Sequence, residues 1–113
     1  MSEWTRVCPL AQILPATGVC AWVSGHQIAV FRPSADDRVF ALSNLDPFAD
    51  ASVLSRGIIG EHQGELWVAS PLKKQRFRLR DGYCMEDSSR SVPVYPVRVN
   101  AGQVEVKALP ARI

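Results

Sequence analysis

The chain has 113 residues, of which 47% are apolar and 21% charged, with a formal net charge of +2 at pH 7. This length and apolar content suffice for a folded core, so we expect residues 1–113 to form a single domain. The small net charge gives no reason to expect a nucleic-acid partner. No apolar run approaches the roughly 20 residues of a membrane-spanning helix. Pro9 and Gln12 interrupt the apolar residues behind the N-terminus, so no secretory signal is expected and a cytoplasmic location is the default.

Cysteine and histidine residues are few and scattered. Cys8, Cys20 and Cys84 are an odd number at wide spacings, which favours reduced thiols over a disulfide framework. Together with His26 and His62 they show no Cys-x-x-Cys or Cys-x-His spacing, so no two ligands are held together locally. The sequence therefore predicts no metal site from these residues. Cys20 lies in an apolar run and is expected to be a small core residue.

Short apolar runs separated by turn residues predict strands along most of the chain. The candidate strands cover residues 19–23, 26–32, 38–42, 58–59, 65–69, 76–80, 95–99 and 103–107. Helical patterns are limited to single turns at residues 9–14 and 49–54. Many short strands at close spacing predict an all-β fold, either a sandwich or a barrel.

Two segments are informative together. The first reads Asn44-Leu45-Asp46-Pro47-Phe48 and the second reads Ser70-Pro71-Leu72-Lys73. Their frame resembles the Rieske-type ferredoxin family, in which these segments read Asn-x-Cys-Pro-His and Cys-Pro-x-His. The surrounding sequence resembles that family at residues 28–32, 39–44, 77–82 and 95–106, so the similarity covers about residues 18–107. The resemblance implies a Rieske-like domain, an antiparallel β-sandwich of short strands.

Three segments narrow the resemblance within that family, namely Trp4–Cys8, Asp46–Phe48 and Ser70–Gln75. They are similar to the small subunits of assimilatory NAD(P)H-dependent nitrite reductase. This similarity implies a large-subunit partner that carries FAD, an iron–sulfur cluster and sirohaem and reduces nitrite to ammonium in nitrate assimilation. It also implies a non-catalytic role for this chain, so whether the chain itself counts as an enzyme stays open. Two alternatives are a Rieske-type electron-transfer ferredoxin and an interaction module of another oxygenase or reductase.

The four positions that hold the cluster in the Rieske family carry other residues here. Asp46 and Ser70 stand where the resemblance places the thiolates, and Phe48 and Lys73 where it places the imidazoles. Phenylalanine has no donor atom, lysine is a cation at neutral pH, and serine keeps its hydroxyl proton. Only the aspartate offers an oxygen ligand, which suits harder ions. We therefore expect no cluster, no other cofactor and no catalytic residue on this chain.

The same positions suggest what replaces the cluster. Phe48 is expected to fill its space, because an empty apolar void is costly. Asp46 is expected to accept a hydrogen bond from Ser70 or from a backbone N–H across the loops. Lys73 either lies over the Phe48 ring or points to solvent. The alternatives are that Asp46 only starts an Asp-Pro turn and that Lys73 is an ordinary exposed lysine.

A docking surface for an acidic partner is one interpretation of the densest basic stretch, and a solvated strand face is the other. Strand alternation places three arginines on one face, opposite Phe77 and Leu79. Trp4 is a further candidate for a partner contact, whereas Trp22 and Trp67 alternate with apolar neighbours and are expected in the core. The basic candidates are Lys73, Lys74, Arg76, Arg78 and Arg80.

Overall fold

The computed structural model describes residues 4–108 and consists of short strands. Three single-turn 3-10 helices lie at Leu10–Gln12, Leu54–Arg56 and Ser88–Arg90. The strands are β1 (Trp4–Pro9), β2 (Thr17–Val23), β3 (His26–Arg32), β4 (Phe40–Ser43), β5 (Leu45–Asp46), β6 (Ala51–Ser52), β7 (Ile58–His62), β8 (Glu65–Ala69), β9 (Arg76–Arg78), β10 (Val94–Tyr95), β11 (Val97–Asn100) and β12 (Gln103–Lys107). The all-β fold expected from the sequence is confirmed. No helix in residues 4–108 is long and apolar enough to cross a bilayer. A single domain over residues 1–113 stays a prediction, because residues 1–3 and 109–113 lie outside the part of the chain that the structure describes.

The strands pair antiparallel in four sheets. Their orders are β10-β4-β3-β2, β1-β12-β11, β7-β8-β9 and the two-stranded β5-β6. The β2–β3 hairpin is the longest continuous pairing and runs from Thr17↔Arg32 to Val23↔His26. In this arrangement β7 pairs only with β8, so it is an edge strand.

Strand β3 separates two hydrophobic clusters. Ala29 and Phe31 face the first cluster, and Ile28 and Val30 face the second. All four side chains are buried, so β3 is covered on both faces, which explains its continuous apolar sequence. The first cluster also contains Leu42, Leu54, Val68, Phe77 and Leu79, and the second contains Ile13, Val23, Tyr95, Val104 and Val106.

Some predicted boundaries are wrong. The strand expected at residues 76–80 ends at Arg78, because the chain turns back there and the Gly82 N–H donates to the Arg78 carbonyl at 2.7 Å. The strand expected at residues 38–42 begins only at Phe40. Within residues 49–54, where a helical turn was expected, Ala51 and Ser52 form β6 and pair with β5, and the helical turn begins only at Leu54 and ends at Arg56.

Two core assignments on β2 are also wrong. Cys20 is exposed, and the Trp22 side chain is 69% exposed. Strand β2 lies at the edge of its sheet, and its inner positions are Val19, Ala21 and Val23, which pack with the second cluster. Every residue from 19 to 23 is apolar, so the sequence hides the alternation that turns two of them outward. The assignment of Trp67 to the interior is confirmed.

Candidate functional site

The two segments singled out in the sequence form two loops, each closed at the residue that corresponds to a cluster cysteine. In the first loop, residues 46–50, the Asp50 N–H donates to the Asp46 carbonyl at 2.8 Å. In the second loop, residues 70–75, the Ser70 N–H donates to the Gln75 carbonyl at 2.9 Å and the Lys74 N–H donates to the Ser70 carbonyl at 3.1 Å. The backbone of each loop is therefore fixed without help from a metal.

The side chains of Asp46 and Ser70 meet between the loops, and both residues are buried. The Ser70 hydroxyl donates a hydrogen bond to Oδ2 of Asp46. The other carboxyl oxygen, Oδ1, accepts from the Phe48 N–H at 2.8 Å and from the Ala49 N–H at 3.3 Å. The hydrogen bond expected between Ser70 and Asp46 is confirmed, and the turn offered as its alternative is present as well. Since the backbone donors belong to the first loop itself, the serine hydroxyl is the donor that joins the two loops.

Phe48 packs beside this pair and is half-buried against the first hydrophobic cluster. Its ring centroid lies 6.2 Å from that of the fully buried Phe77. The guanidinium of Arg90 lies 5.5 Å from the Phe48 ring and also donates to the Pro47 carbonyl at 2.9 Å. The cation over the ring is therefore Arg90, whereas Lys73 is exposed. Sequence reasoning missed Arg90 because it stands 43 residues beyond Pro47.

Asn44 anchors the first loop to the body of the fold, and this role was not recognised from the sequence. Its buried side chain donates to the Ser52 carbonyl at 3.0 Å and accepts from the Ser55 N–H at 2.7 Å. Its backbone N–H donates to the Gln27 carbonyl at 3.0 Å, and its carbonyl accepts from the Leu54 N–H at 3.0 Å. The asparagine of the Asn-x-Asp-Pro-Phe frame thus ties both ends of the first loop to the neighbouring backbone.

The donor atoms of this site do not fit a Rieske cluster, which needs two thiolates and two imidazoles. Asp46 and Ser70 are committed to one another, Phe48 has no donor atom, and Lys73 is exposed. Within residues 4–108 no group of three or more His, Cys, Asp and Glu side chains is arranged to hold a metal ion.

The thiols elsewhere in the fold are poor ligands as well. Desolvation by surrounding atoms raises the pKa of both the half-buried Cys8 and the more exposed Cys20, so their thiols stay protonated at neutral pH. A protonated thiol neither binds a metal well nor reacts readily as a nucleophile. Cys84 is buried in the first hydrophobic cluster, which is the environment of a structural cysteine.

The arginines proposed as a docking surface are each paired within the chain. The hydrogen bond from Arg78 lowers the pKa of Asp81, so this ion pair persists at neutral pH. Lys73 and Lys74 are exposed and make no ion pair within residues 4–108. Docking through this stretch stays a prediction. Because the three arginines are already paired, fewer unpaired positive charges are left for a partner than the sequence suggests. The pairs are Arg76–Glu86, Arg78–Asp81 and Arg80–Glu65, at 2.8, 2.5 and 2.9 Å.

Trp4 is engaged by two cations of its own chain. Its half-buried ring lies 4.2 Å from the guanidinium carbon of Arg98 and 4.9 Å from the ammonium nitrogen of Lys107. These contacts explain the position of the ring without a partner. A partner contact through Trp4 stays a prediction, and the more exposed indole is that of Trp22.

Comparison with known proteins identifies the family. A family model described as "Rieske-like [2Fe-2S] domain" matches residues 3–107. The chain belongs to this family. It is 63% identical over 107 residues to the nitrite reductase (NADH) small subunit of Salmonella typhimurium, covering 95% of this chain and 99% of that protein. The NMR structure of Escherichia coli NirD superposes with a TM-score of 0.89 at 60% identity, covering 96% of this chain and 98% of that one.

A third relative has a different length. The nitrite reductase [NAD(P)H] large subunit of Klebsiella oxytoca is 45% identical over 103 residues, which are 91% of this chain but 11% of that protein. The two small-subunit relatives match this chain over nearly their whole length, so within the Rieske-like family the chain belongs with the small subunits of NADH-dependent nitrite reductase. The family and the fold class inferred from the sequence are confirmed.

Replacing Ser70 by alanine tests the bond between the loops. Ser70→Ala removes a donor from a fully buried carboxyl group, so we expect the free energy of unfolding to fall by about 1–3 kcal/mol. Asp46→Ala should be destabilising as well, and the double variant should lose less than the sum of the single losses, with a coupling of about 1 kcal/mol or more. Urea unfolding monitored by circular dichroism measures all three. Ser52→Ala, at an exposed serine on β6, is the control and should change stability by about 0.5 kcal/mol or less. Additive losses would contradict a direct bond.

Truncating Phe48 tests whether its ring fills the space between the loops. Phe48→Ala removes the contact with Phe77 and the aromatic face beneath Arg90, so we expect a loss of about 1–3 kcal/mol for this half-buried ring. Phe48→Leu keeps most of the volume and should lose clearly less. Thermal unfolding compares the two variants. A Phe48→Ala protein as stable as wild type would show that the ring does not fill this space.

Proposed function

We propose that this chain is the non-catalytic small subunit of a cytoplasmic NADH-dependent nitrite reductase, the enzyme that reduces nitrite to ammonium in nitrate assimilation. The main support is the similarity to the nitrite reductase (NADH) small subunit of Salmonella typhimurium, which extends over 95% of this chain and 99% of that protein. The family match over residues 3–107 supports a chain that acts as one Rieske-like domain.

The subunit carries no redox cofactor of its own in this proposal, and FAD, the iron–sulfur cluster and sirohaem belong to the large subunit. Support comes from the loops, where Ser70 donates to Asp46 and Phe48 packs on the core at the positions of cluster ligands. A chain without electron-carrying groups acts by binding, so its role is to stabilise or orient the large subunit. The alternative role as an electron-transfer ferredoxin would need ligands that these positions do not supply.

The partner in this proposal is the large subunit, with no nucleic acid or membrane involved. The Klebsiella oxytoca relative supports it, because a segment similar to this chain there forms 11% of a protein called the large subunit. In that relative, a domain similar to this chain is joined covalently to the rest of a large subunit. We infer that the separate chain binds a large subunit non-covalently. A role as an interaction module of a different oxygenase or reductase has no comparable support.

Reconstitution of the enzyme tests the proposal. The large subunit from the same genome is purified with and without this chain, and nitrite-dependent oxidation of NADH is followed at the NADH absorbance. We expect the chain to co-purify with the large subunit and to raise the rate of NADH oxidation or prolong its time course. A Rieske ferredoxin at the same concentration serves as the control and should have no effect. Absence of a complex, together with identical time courses, would contradict the proposal.

A further inference from the structure

The outer face of the sheet β7-β8-β9 is uncovered at its edge strand. Val68 and Phe77 point into the first hydrophobic cluster, so the alternation along the strands turns their neighbours to the other face. On this outer face Ile58 pairs with Ala69 and Gly60 pairs with Trp67. Ile58 is 77% exposed, the highest value among the large hydrophobic side chains of residues 4–108. An edge strand also presents unpaired backbone groups, so Ile58 stands where a second chain can add both hydrogen bonds and apolar contact.

Two adjoining clefts run along this face and share Ile58 and Ala69. The first has a volume of about 270 Å³, and the second, which reaches the loop that carries Ser70, has a volume of about 390 Å³. Together they form a furrow from β7 to the second loop, which we call the β7 furrow. The further lining residues that bear on binding are Gly60, Glu61, Trp67 and Arg76 in the first cleft and Arg56 and Lys74 in the second.

Trp67 is a buried aromatic residue that lines the β7 furrow. It is only 7% exposed, and its indole Nε1 is enclosed by the fold, without a hydrogen-bond partner within residues 4–108. The ring therefore supports the furrow from within, and the exposed apolar side chain of the furrow is Ile58.

The charges around the furrow are mainly positive. Arg56 and Lys74 make no ion pair within residues 4–108, whereas Arg76 is paired with Glu86. Glu61 is the acidic residue among those that line it. The free charge therefore favours a partner with carboxylates at the rim and an apolar side chain at the centre.

We propose that the β7 furrow is the docking surface for the large subunit of nitrite reductase. An acidic region of that subunit places carboxylates opposite Arg56 and Lys74 and an apolar side chain on Ile58. This inference rests on the proposed function. The Klebsiella oxytoca protein favours this occupant, because its segment similar to this chain shares one polypeptide with the rest of a large subunit.

Two acidic substitutions in the furrow and one outside it test the proposal. Ile58→Glu replaces the apolar centre, and Gly60→Glu adds a side chain where a Cβ meets no atom within 4 Å. Leu14→Glu is the matched control, because Leu14 is 67% exposed and does not line the furrow. Binding of each purified variant to immobilised large subunit is measured by biolayer interferometry, and thermal unfolding verifies that each is folded. We expect Kd to rise by about tenfold or more for both furrow variants and by less than about twofold for the control.

The outcomes separate the two proposals. If wild type binds and both furrow variants bind equally well, the docking surface lies elsewhere while the proposed function stands. The same conclusion follows if Leu14→Glu weakens binding as much as the furrow variants do. If the wild-type chain does not bind the large subunit, the proposed function fails and this inference fails with it.

Discussion

The hydrogen bond from Ser70 to Asp46 joins two loops that, in cluster-bearing Rieske proteins, are joined by iron. A buried carboxyl group is costly unless its oxygens are hydrogen-bonded, and here the serine hydroxyl and two backbone N–H groups supply the donors. The bond thus performs the connecting role of the metal with ordinary side chains. Without the Ser70 hydroxyl, Oδ2 of the buried Asp46 carboxyl group would lack its hydrogen-bond donor. The side-chain link between the two loops would be lost at the same time.

The rest of the site follows from that link. Asn44 holds the base of the first loop through its hydrogen bonds. Within the loop, the Phe48 ring contacts Phe77 and lies beneath the guanidinium of Arg90. The second loop, closed at Ser70, forms one wall of the β7 furrow through Pro71 and Lys74. The loop pair therefore lies directly beside the proposed docking surface. In the proposed function, a scaffold whose family is named for a cluster acts as a binding module.

Two predictions from the sequence succeeded for different reasons. The apolar run of β3 is a local signal and predicted a strand with the observed bounds. The bond between Asp46 and Ser70, which are 24 residues apart, was predicted from the family resemblance of the two loops. Sequence reasoning failed on β2, because a run of apolar residues conceals which side chains face outward. Arg90 could not be placed at Phe48, since only the tertiary fold brings such distant residues together. The ion pairs of Arg76 with Glu86 and of Arg80 with Glu65 were missed for the same reason, since 10 and 15 residues separate the partners.

We propose that side-chain hydrogen bonding and packing take the place of the cluster in these loops. Anaerobic incubation of the purified chain with iron and sulfide, followed by desalting, iron analysis and a visible spectrum, shows whether the loops bind a cluster. A Rieske ferredoxin that retains its ligands is the positive control. We expect a colourless protein with iron far below stoichiometric amounts. About two irons per chain, together with the visible absorption of a Rieske centre, would show that these loops still assemble a cluster.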